Sequence, residues 1–326
     1  MSDGSVTERA GVAQIRAAVG VRPGTEIGIG DDAAVLALGA RTLACHDILV
    51  EGVHFRRRTA DLAAIGHKAV AVNLSDIAAM GGVPRAMLVG LTIPDDGFAA
   101  GDLAALYAGM ERAAAAHGVT IAGGDTTSGP VLSLGVTMLG GLPEGGHPLT
   151  RAGSREGDLL CVTGPLGAAA AGLMLIEGIV DGRSIPHADA LVGAHLRPVP
   201  RLVEGRTLAR WGAHAGMDIS DGLALDTSRL VAESGLGAVI NLEAIPIAPG
   251  VAAVSEAAGA EADILAATGG EDYELLAAVP PALVAAIDRR LPRALTVVGR
   301  VRAGEGVEVR RHGEPVRIAS PGWERP

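Results

Sequence analysis

Seven aspartates stand mostly beside glycine, serine or threonine, at points where predicted strands end or predicted helices begin. They are Asp31, Asp32, Asp47, Asp76, Asp125, Asp218 and Asp221. One aspartate in such a place commonly caps a helix or closes a turn. A cap needs only one carboxylate, and the doublet Asp31-Asp32 adds repulsion unless one carboxyl takes up a proton. The doublet therefore indicates a divalent cation as the counter-charge.

Carboxylates within glycine-rich turns suit chemistry on phosphates. Magnesium prefers oxygen ligands and retains several waters, so proteins hold it with a few carboxylates together with the phosphates of a substrate. Glycine lets backbone N–H groups approach phosphate oxygens closely. The pattern predicts a site that binds phosphates through magnesium.

Several other catalytic and nucleotide-binding motifs are missing from the sequence. There is no Walker A loop, and the one lysine, Lys68, lies in a helix-like segment without the required glycines. The stretch "GIGDDA" lacks the third glycine of a dinucleotide fingerprint. Kinase HRD and DFG motifs, a GxSxG elbow and an HExxH pair are also absent. Among the nine histidines, His54 is the candidate of interest, because Phe55 and three arginines follow it.

Strand-like and helix-like segments alternate along the chain, which predicts an α/β or α+β fold. The predicted strands are "RTLACHDILV", "AMLVGLTIP", "VTIAGG", "VLSLGVTMLGGL", "DLLCVTG", "AGMDIS" and "YELLAAV", and the predicted helices cover 61–79, 98–117, 166–178, 199–211, 222–234 and 281–290. A capping box is predicted at Ser5-x-x-Glu8. The turn-rich stretch 143–157 is the predicted boundary between an N-terminal domain at 1–145 and a C-terminal domain at 146–326.

Composition limits the class of protein and its partners. The 326 residues are 48% hydrophobic and 20% charged, as in folded globular proteins. A formal net charge of −10 disfavours nucleic acid and anionic membranes as partners. The amino terminus lacks the pattern of a signal peptide, and the longest apolar stretch, near residues 166–175, is shorter than the roughly 20 residues of a membrane span. Two cysteines without CxxC spacing fit a reducing cytoplasm.

Seven ordered motifs resemble the thiamine-monophosphate kinase family. They are "GIGDDAAVL", "DILVEGVHF", "GHKAVAVNLSDIAAMGGVPRAMLVGLTIP", "GGDTTSGP", "TRAGSREGD", "MDISDGLALD" and "GGEDYELL". The resemblance runs from about residue 8 to the C-terminus, and the order of the motifs makes it far more specific than one motif. It implies a two-domain α/β fold like that of aminoimidazole ribonucleotide synthetase, dimeric through the N-terminal domains.

The resemblance also implies an activity, the ATP-dependent phosphorylation of thiamine monophosphate to the diphosphate. Several magnesium ions would be held by Asp31, Asp32, Asp47, Asp76, Asp125, Asp218 and Asp221, with Asp31, Asp125 and Asp218 as the catalytic residues. ATP would be contacted by Tyr107, Gly124, Asp125, Arg151 and Ser220. Thiamine monophosphate would be contacted by His54, Glu271 and Trp323. The acceptor is a phosphate monoester whose second pKa is about 6, so it is largely ionised at neutral pH and needs no general base. We therefore expect direct in-line transfer, without a phosphoenzyme.

Plainer roles stay open at four of these positions. Arg151 could be a solvated arginine, and Trp323 a terminal packing anchor. Glu271 with Asp272 could cap a helix, as could Asp76.

One pair of residues departs from the family pattern. Cys45-His46 occupies the place of a Ser/Thr pair that contributes oxygen ligands in the family. Sulfur and imidazole are softer ligands than oxygen and suit magnesium poorly. His46 is kept as a candidate ligand, and the departure puts the number of bound metal ions and the metal preference in question.

Two other functions are compatible with these motifs. One is a related ATP-using enzyme, either selenophosphate-synthetase-like or hydrogenase-maturation-like. A selenophosphate synthetase carries its reactive cysteine in a glycine-rich N-terminal segment, whereas the first cysteine here, Cys45, lies in a predicted strand. The other is a non-catalytic nucleotide-binding paralogue, which need not retain every ligand aspartate.

Overall fold

The computed structural model describes residues 25–27, 31–37, 41–96 and 98–323. The predicted capping box at Ser5-x-x-Glu8 and the glycines Gly28 and Gly30 lie outside these residues. Among the described residues, none of the helices combines the length and the hydropathy that a membrane-spanning helix needs.

The first part of the chain forms a mixed sheet covered on one face by two helices. Its strands are β1 (Thr25–Ile27), β2 (Ala34–Ala37), β3 (Arg41–Val50), β4 (Val83–Pro94), β5 (Thr120–Gly129) and β6 (Ser133–Gly141). They lie in the order β1-β2-β3-β6-β4-β5, and the β4–β5 pair is parallel while the other pairs are antiparallel. The helices are α1 (Leu62–Ala79) and α2 (Ala100–Ala116).

The second part of the chain forms another mixed sheet. Its strands are β7 (Leu159–Val162), β8 (Ala215–Asp218), β9 (Gly237–Asn241), β10 (Leu275–Val279), β11 (Thr296–Arg302), β12 (Gly306–Arg311) and β13 (Glu314–Pro315), in the order β13-β12-β9-β11-β7-β10-β8. The helices are α3 (Ala168–Ile176), α4 (Ala188–Leu196), α5 (Leu202–Arg210), α6 (Leu223–Ala232), α7 (Val251–Ala257), α8 (Ala262–Thr268) and α9 (Pro281–Asp288). The β9–β12 pair is parallel and the other pairs are antiparallel.

The predicted mixed α/β architecture is confirmed, as are the six predicted helices, to within a few residues at their ends. Helices α4, α7 and α8 and strands β1, β2, β9, β11, β12 and β13 were not predicted. The boundary at residues 145–146 stays a prediction. The stretch around it is loop and turn, but it does not separate two cores, because one apolar cluster joins Leu43 and Met87 of the first sheet to Leu208 and Leu275 of the second part.

Helix α1 is the element that connects the two sheets. It begins at Asp61, whose carboxylate accepts a hydrogen bond from the Ala64 amide at 2.6 Å. One side of the helix packs against β3, β6 and α2, and another side packs against α5 and β8. Most of its residues are therefore buried, including the polar residues Lys68, Asn73 and Ser75. Polar side chains in such a place need partners, and these residues supply part of the site described below.

The contact between α1 and α5 depends on Gly205. A Cβ atom at this position would lie 1.8 Å from the carbonyl oxygen of Ala78. We expect Gly205→Ala to push the two helices apart and to lower the free energy of unfolding by about 3 kcal/mol. Gly193 of α4 is the matched control, since nothing lies within 4 Å of a Cβ placed there. Gly193→Ala should raise stability by about 0.5–1 kcal/mol. Equal effects of the two variants in urea unfolding would contradict the packing argument.

Candidate active site

Three carboxylates converge where the two sheets meet. Side-chain oxygens of Asp32, Asp76 and Asp218 lie within 4.8 Å of one another. Asp32 lies in the loop before β2, Asp76 near the end of α1, and Asp218 at the end of β8. The side chain of Asp32 is fully buried and that of Asp218 is nearly so. We refer to these three residues as the acidic cluster.

The acidic cluster is electrostatically unfavourable by itself. Burial first, and then the charges of Asp47 and Asp218, raise the pKa of Asp76 well above its ordinary value. Burial and the charge of Asp32 likewise raise the pKa of Asp218, although Ser75 donates a hydrogen bond to it at 2.7 Å. Three oxygen donors gathered in this way suit a hard divalent cation, whose charge would offset their repulsion.

Arg151 is the partner of the Asp31-Asp32 doublet within the chain. Its guanidinium donates to both carboxylate oxygens of Asp32, at 2.8 and 3.2 Å, and its backbone amide donates to Asp31 at 3.2 Å. Burial and the charge of Asp32 nevertheless raise the pKa of Asp31 to about 7. An arginine 119 residues away in sequence therefore offsets part of the doublet's charge, which inspection of its sequence neighbours could not show.

Cys45 and His46 point to opposite sides of β3. The Cys45 thiol is buried beneath the acidic cluster and donates to the carbonyl oxygen of Asn73 at 3.4 Å. Burial, followed by the charges of Asp76 and Asp47, raises the pKa of this thiol well above its ordinary value. The His46 ring is exposed, and its Nδ1 lies 2.8 Å from the Thr137 hydroxyl. The structure does not bring His46 to the acidic cluster.

A cleft of about 520 Å³ lies beside the acidic cluster, and a smaller cavity of about 120 Å³ reaches Asp76 and Asp218. The two share lining residues, namely Asp47, Ile48, His54, Lys68, Ser220, Glu271 and Tyr273. Apolar side chains, including Phe55, Ile65 and Leu173, line the larger cleft. The larger cleft is thus an apolar chamber, and the smaller, carboxylate-lined cavity forms its inner end.

The predicted thiamine-phosphate residues all line the larger cleft. His54 accepts a hydrogen bond at its Nδ1 from the Val50 amide at 3.0 Å, which orients the ring. Trp323 is 46% exposed, and its backbone amide donates to the carbonyl oxygen of Asp221 at 3.0 Å. Trp323 is thus tied to the cleft wall by its backbone while its ring is left accessible.

The segment "GGEDYELL" alternates between the cleft and the protein interior. Glu271 and Tyr273 line the cleft, and both have positive φ angles, 68° and 50°. Asp272 points the other way and accepts hydrogen bonds from the amides of Gly167 and Ala169, so it caps the start of α3. Non-glycine residues rarely adopt such φ angles, and they persist where the surrounding structure holds them. The capping alternative is therefore correct for Asp272 and not for Glu271.

Lys68 and His195 both contact the carboxylate of Glu271, and neither residue was predicted from the sequence to belong to the site. Lys68 Nζ lies 2.7 Å from one carboxylate oxygen of Glu271, and His195 Nδ1 lies 3.0 Å from the other. Burial by itself would raise the pKa of Glu271, but Lys68 and His195 outweigh it and hold the pKa at about 2. The signal available in the sequence was that Lys68 is the one lysine in the chain.

This depressed pKa of Glu271 predicts an acid-sensitive contribution to stability. Its value of about 2 lies below the ordinary 4.5, so the stabilisation is present above pH 4.5 and is lost as the pH falls toward 2. The full contribution is about 3 kcal/mol. We expect the stability gap between the wild type and Glu271→Gln, measured by urea unfolding, to narrow over this range. Glu256→Gln changes an exposed residue, so its free energy of unfolding should vary with pH in parallel with that of the wild type. If the difference in stability between the wild type and Glu271→Gln stayed constant with pH, the pKa of Glu271 could not be depressed.

The remaining predicted residues are spread around the site. Ser220 lines both cavities and Asp221 lines the larger one, where Asp221 is paired with Arg229. Asp125 is exposed on β5 and accepts a hydrogen bond from the Thr126 amide at 2.9 Å. Gly124 lies so close to β4 that a Cβ atom there would be 1.9 Å from the carbonyl oxygen of Val89. Tyr107 is half-buried against the first core, and like Gly124 and Asp125 it lines neither described cavity.

Comparisons with known proteins agree with this architecture. Residues 30–142 match the AIR synthase related protein N-terminal domain, and residues 155–312 match the corresponding C-terminal domain. The thiamine-monophosphate kinase of Rhodopirellula baltica is 36% identical to this chain, over 98% of this chain and 94% of the relative. The enzyme of Escherichia coli K12 is 38% identical, over 92% of this chain and 91% of the relative.

Solved structures give the same result. The structure of AaThiL complexed with AMPPCP and TMP superposes with a TM-score of 0.85 at 31% identity, covering 99% of this chain and 98% of that chain. Thiamine monophosphate kinase from Aquifex aeolicus gives a TM-score of 0.83 at 30% identity, covering 98% and 100%. A HypE–HypF complex gives a TM-score of 0.75 at 18% identity, which shows a shared fold alone.

The two sheets joined by α1, with a carboxylate cluster at their junction, define a protein of the AIR synthase related class. Within this class the chain belongs to the thiamine-monophosphate kinase family.

Proposed function

We propose that this protein transfers the terminal phosphoryl group of ATP to thiamine monophosphate, giving thiamine diphosphate and ADP. The observation that carries the proposal is the cleft, whose apolar chamber can take a heteroaromatic ring and whose inner end leads to the acidic cluster. Two phosphate-bearing substrates need charge neutralisation above all, and a carboxylate site for a divalent cation supplies it.

Magnesium is the cation that we assign to the acidic cluster. Asp32, Asp76 and Asp218 would hold it, with Asp47 on the cavity wall and Asp31, the other member of the doublet, as further ligands. When bound, magnesium would supply the positive charge that neutralises the phosphates of the two substrates. Asp125 and Asp221, predicted from the family to be ligands, stand apart from the cluster. Their inclusion, the use of several ions and the catalytic roles of Asp31, Asp125 and Asp218 remain part of this proposal.

The transfer is proposed to be direct and in-line. The acceptor oxygen belongs to a phosphate monoester that is largely ionised at neutral pH, so no side chain has to remove a proton from it. The protein then has to align the terminal phosphate of ATP with the phosphate of thiamine monophosphate and to limit the access of water.

The thiamine part is assigned to the larger cleft. The accessible ring of Trp323 can stack on a cationic heteroaromatic ring, since aromatic faces attract cations. His54 and Glu271 line the same chamber and can hydrogen-bond polar groups of the ring. For ATP, we assign Tyr107, Gly124, Asp125, Arg151 and Ser220.

A homodimer is proposed because part of the ATP set lies away from the cleft. Tyr107, Gly124 and Asp125 line neither described cavity, and β5 is exposed almost throughout. The uncovered face of the first sheet exposes Ile48 and Leu88, at 54% and 43%. Such apolar surface on an open sheet is typical of an interface between copies. A second copy on this face would cover these residues and β5.

The cytoplasm is the proposed location. Cys45 and Cys161 are both buried free thiols, as expected for a reducing compartment.

One assay tests the proposed activity. Purified protein is incubated with ATP and magnesium, with and without thiamine monophosphate, while ADP release is followed and the product is identified by mass. Formation of thiamine diphosphate is the expected result. ADP release without a phosphorylated thiamine would instead favour a related ATP-using enzyme with another acceptor, and no turnover would favour a non-catalytic nucleotide-binding paralogue.

A further inference from the structure

Lys68 occupies an unusual place for a lysine. Its side chain is 4% exposed, on the buried face of α1, and it is the one lysine of the chain. Glu271 is its ion-pair partner, and Nζ makes no hydrogen bond of good geometry with the described residues. An ammonium group has three N–H donors, so at least two of them are left for another partner.

Lys68 lies where the larger cleft meets the smaller cavity, since it lines both. Four carboxylates also line the smaller cavity, those of Asp47, Asp76, Asp218 and Glu271. Among the described lining residues of this cavity, Lys68 is the one lysine or arginine. A phosphate that enters from the cleft must therefore pass a row of carboxylates, and Lys68 is the cation beside its path.

We propose that Lys68 binds the phosphate of the acceptor substrate and that Glu271 and His195 hold its ammonium group in place. This inference rests on the proposed function, because it requires an acceptor that carries a phosphate. Charge-assisted hydrogen bonds from an ammonium to a phosphate are among the stronger polar contacts in proteins. Glu271 can still contact the substrate, since each of its oxygens has a second lone pair.

The geometry favours a ligand role over a purely structural one. A buried ion pair contributes little net stability compared with apolar residues of the same volume. His195 contacts the far oxygen of Glu271, so the carboxylate is held from both sides and the lysine is fixed toward the cavity. The donors of Lys68 Nζ that Glu271 does not take are therefore available to a ligand in the cavity, and the positive charge favours an anionic one.

The test measures how strongly the protein prefers thiamine monophosphate over thiamine. The ratio of the two dissociation constants, measured by calorimetry with magnesium and without ATP, isolates the contribution of the phosphate. The variants are Lys68→Met, Glu271→Gln and the double variant Lys68→Met/Glu271→Gln. The double variant removes both charges and so leaves no unpaired buried charge if Lys68→Met alone fails to fold.

We expect Lys68→Met and the double variant to lower this preference by roughly 10- to 100-fold, as for loss of a charge-assisted contact. Glu271→Gln should weaken the binding of both thiamine monophosphate and thiamine. The ratio of their two dissociation constants should stay within a few-fold of the wild-type ratio. The inference is overturned if the double variant keeps the wild-type ratio, or if the wild type itself does not distinguish the two ligands. Failure of the proposed function is a separate result, because it shows as an absence of thiamine diphosphate in the wild-type assay.

Discussion

Asp218→Asn is expected to lower the rate of thiamine diphosphate formation by roughly three orders of magnitude while leaving the metal-free protein folded and more heat-stable. Asp218 is buried within the acidic cluster, and its raised pKa shows that the folded protein resists its charge. Asparagine removes that charge and can still accept the hydrogen bond from Ser75 through its amide oxygen. The rate falls because one of the three carboxylates that we propose to bind magnesium is gone.

Two measurements separate this outcome from simple misfolding. Magnesium should raise the melting temperature of the wild type, since a ligand that binds only the folded state stabilises it, and this rise should be absent in Asp218→Asn. Asp189→Asn, at an exposed position in the first turn of α4, is the matched control and should retain both turnover and the magnesium effect. If Asp218→Asn formed thiamine diphosphate at the wild-type rate, the acidic cluster would not be required for the reaction.

Arg201→Met should destabilise the protein by about 3–5 kcal/mol, the largest effect on stability that we expect. Arg201 forms a bidentate pair with Glu274, at 2.8 and 2.5 Å, and the Glu274 side chain is 3% exposed. Removal of the arginine leaves a buried carboxylate whose remaining partner is the Thr163 hydroxyl. Since Glu274 lies three residues after Glu271, we also expect weaker binding of thiamine monophosphate.

The double variant Arg201→Met/Glu274→Gln provides the control for this effect. It removes the stranded charge as well as the arginine, so it should recover most of the lost stability in urea unfolding. Arg183→Met breaks an ion pair on the surface, with Asp181, and should have no measurable effect. If Arg201→Met were as harmless as Arg183→Met, the buried pair could not be a structural support of the "GGEDYELL" segment.

The sequence by itself determined the regular elements that have strong local signals. Helix α1 was predicted at 61–79 and is observed at Leu62–Ala79, because an apolar run follows an N-cap aspartate. Helices α7 and α8 were missed, since each has only seven residues and short helices carry little periodicity. The ordered motifs led to the family that the comparisons then showed.

Only the tertiary structure decided how the charged residues combine. Sequence inspection found the Asp31-Asp32 doublet but not Arg151 as its partner, because that contact depends on how the two sheets face each other. The motifs predicted metal binding for all seven aspartates, whereas the fold gathers Asp32, Asp76 and Asp218 and leaves Asp125 exposed on β5.

The contact between Lys68 and Glu271 shows most clearly what the sequence leaves open and the folded structure decides. In the sequence they are one lysine without a phosphate-binding motif and one glutamate in a family motif, 203 positions apart. Packing of α1 between the sheets buries the Lys68 side chain and places its ammonium group 2.7 Å from the partly exposed carboxylate of Glu271. Local sequence can specify a helix or a turn through nearby contacts, but burial and charge pairing depend on residues that are distant in the chain and adjacent only in the folded protein.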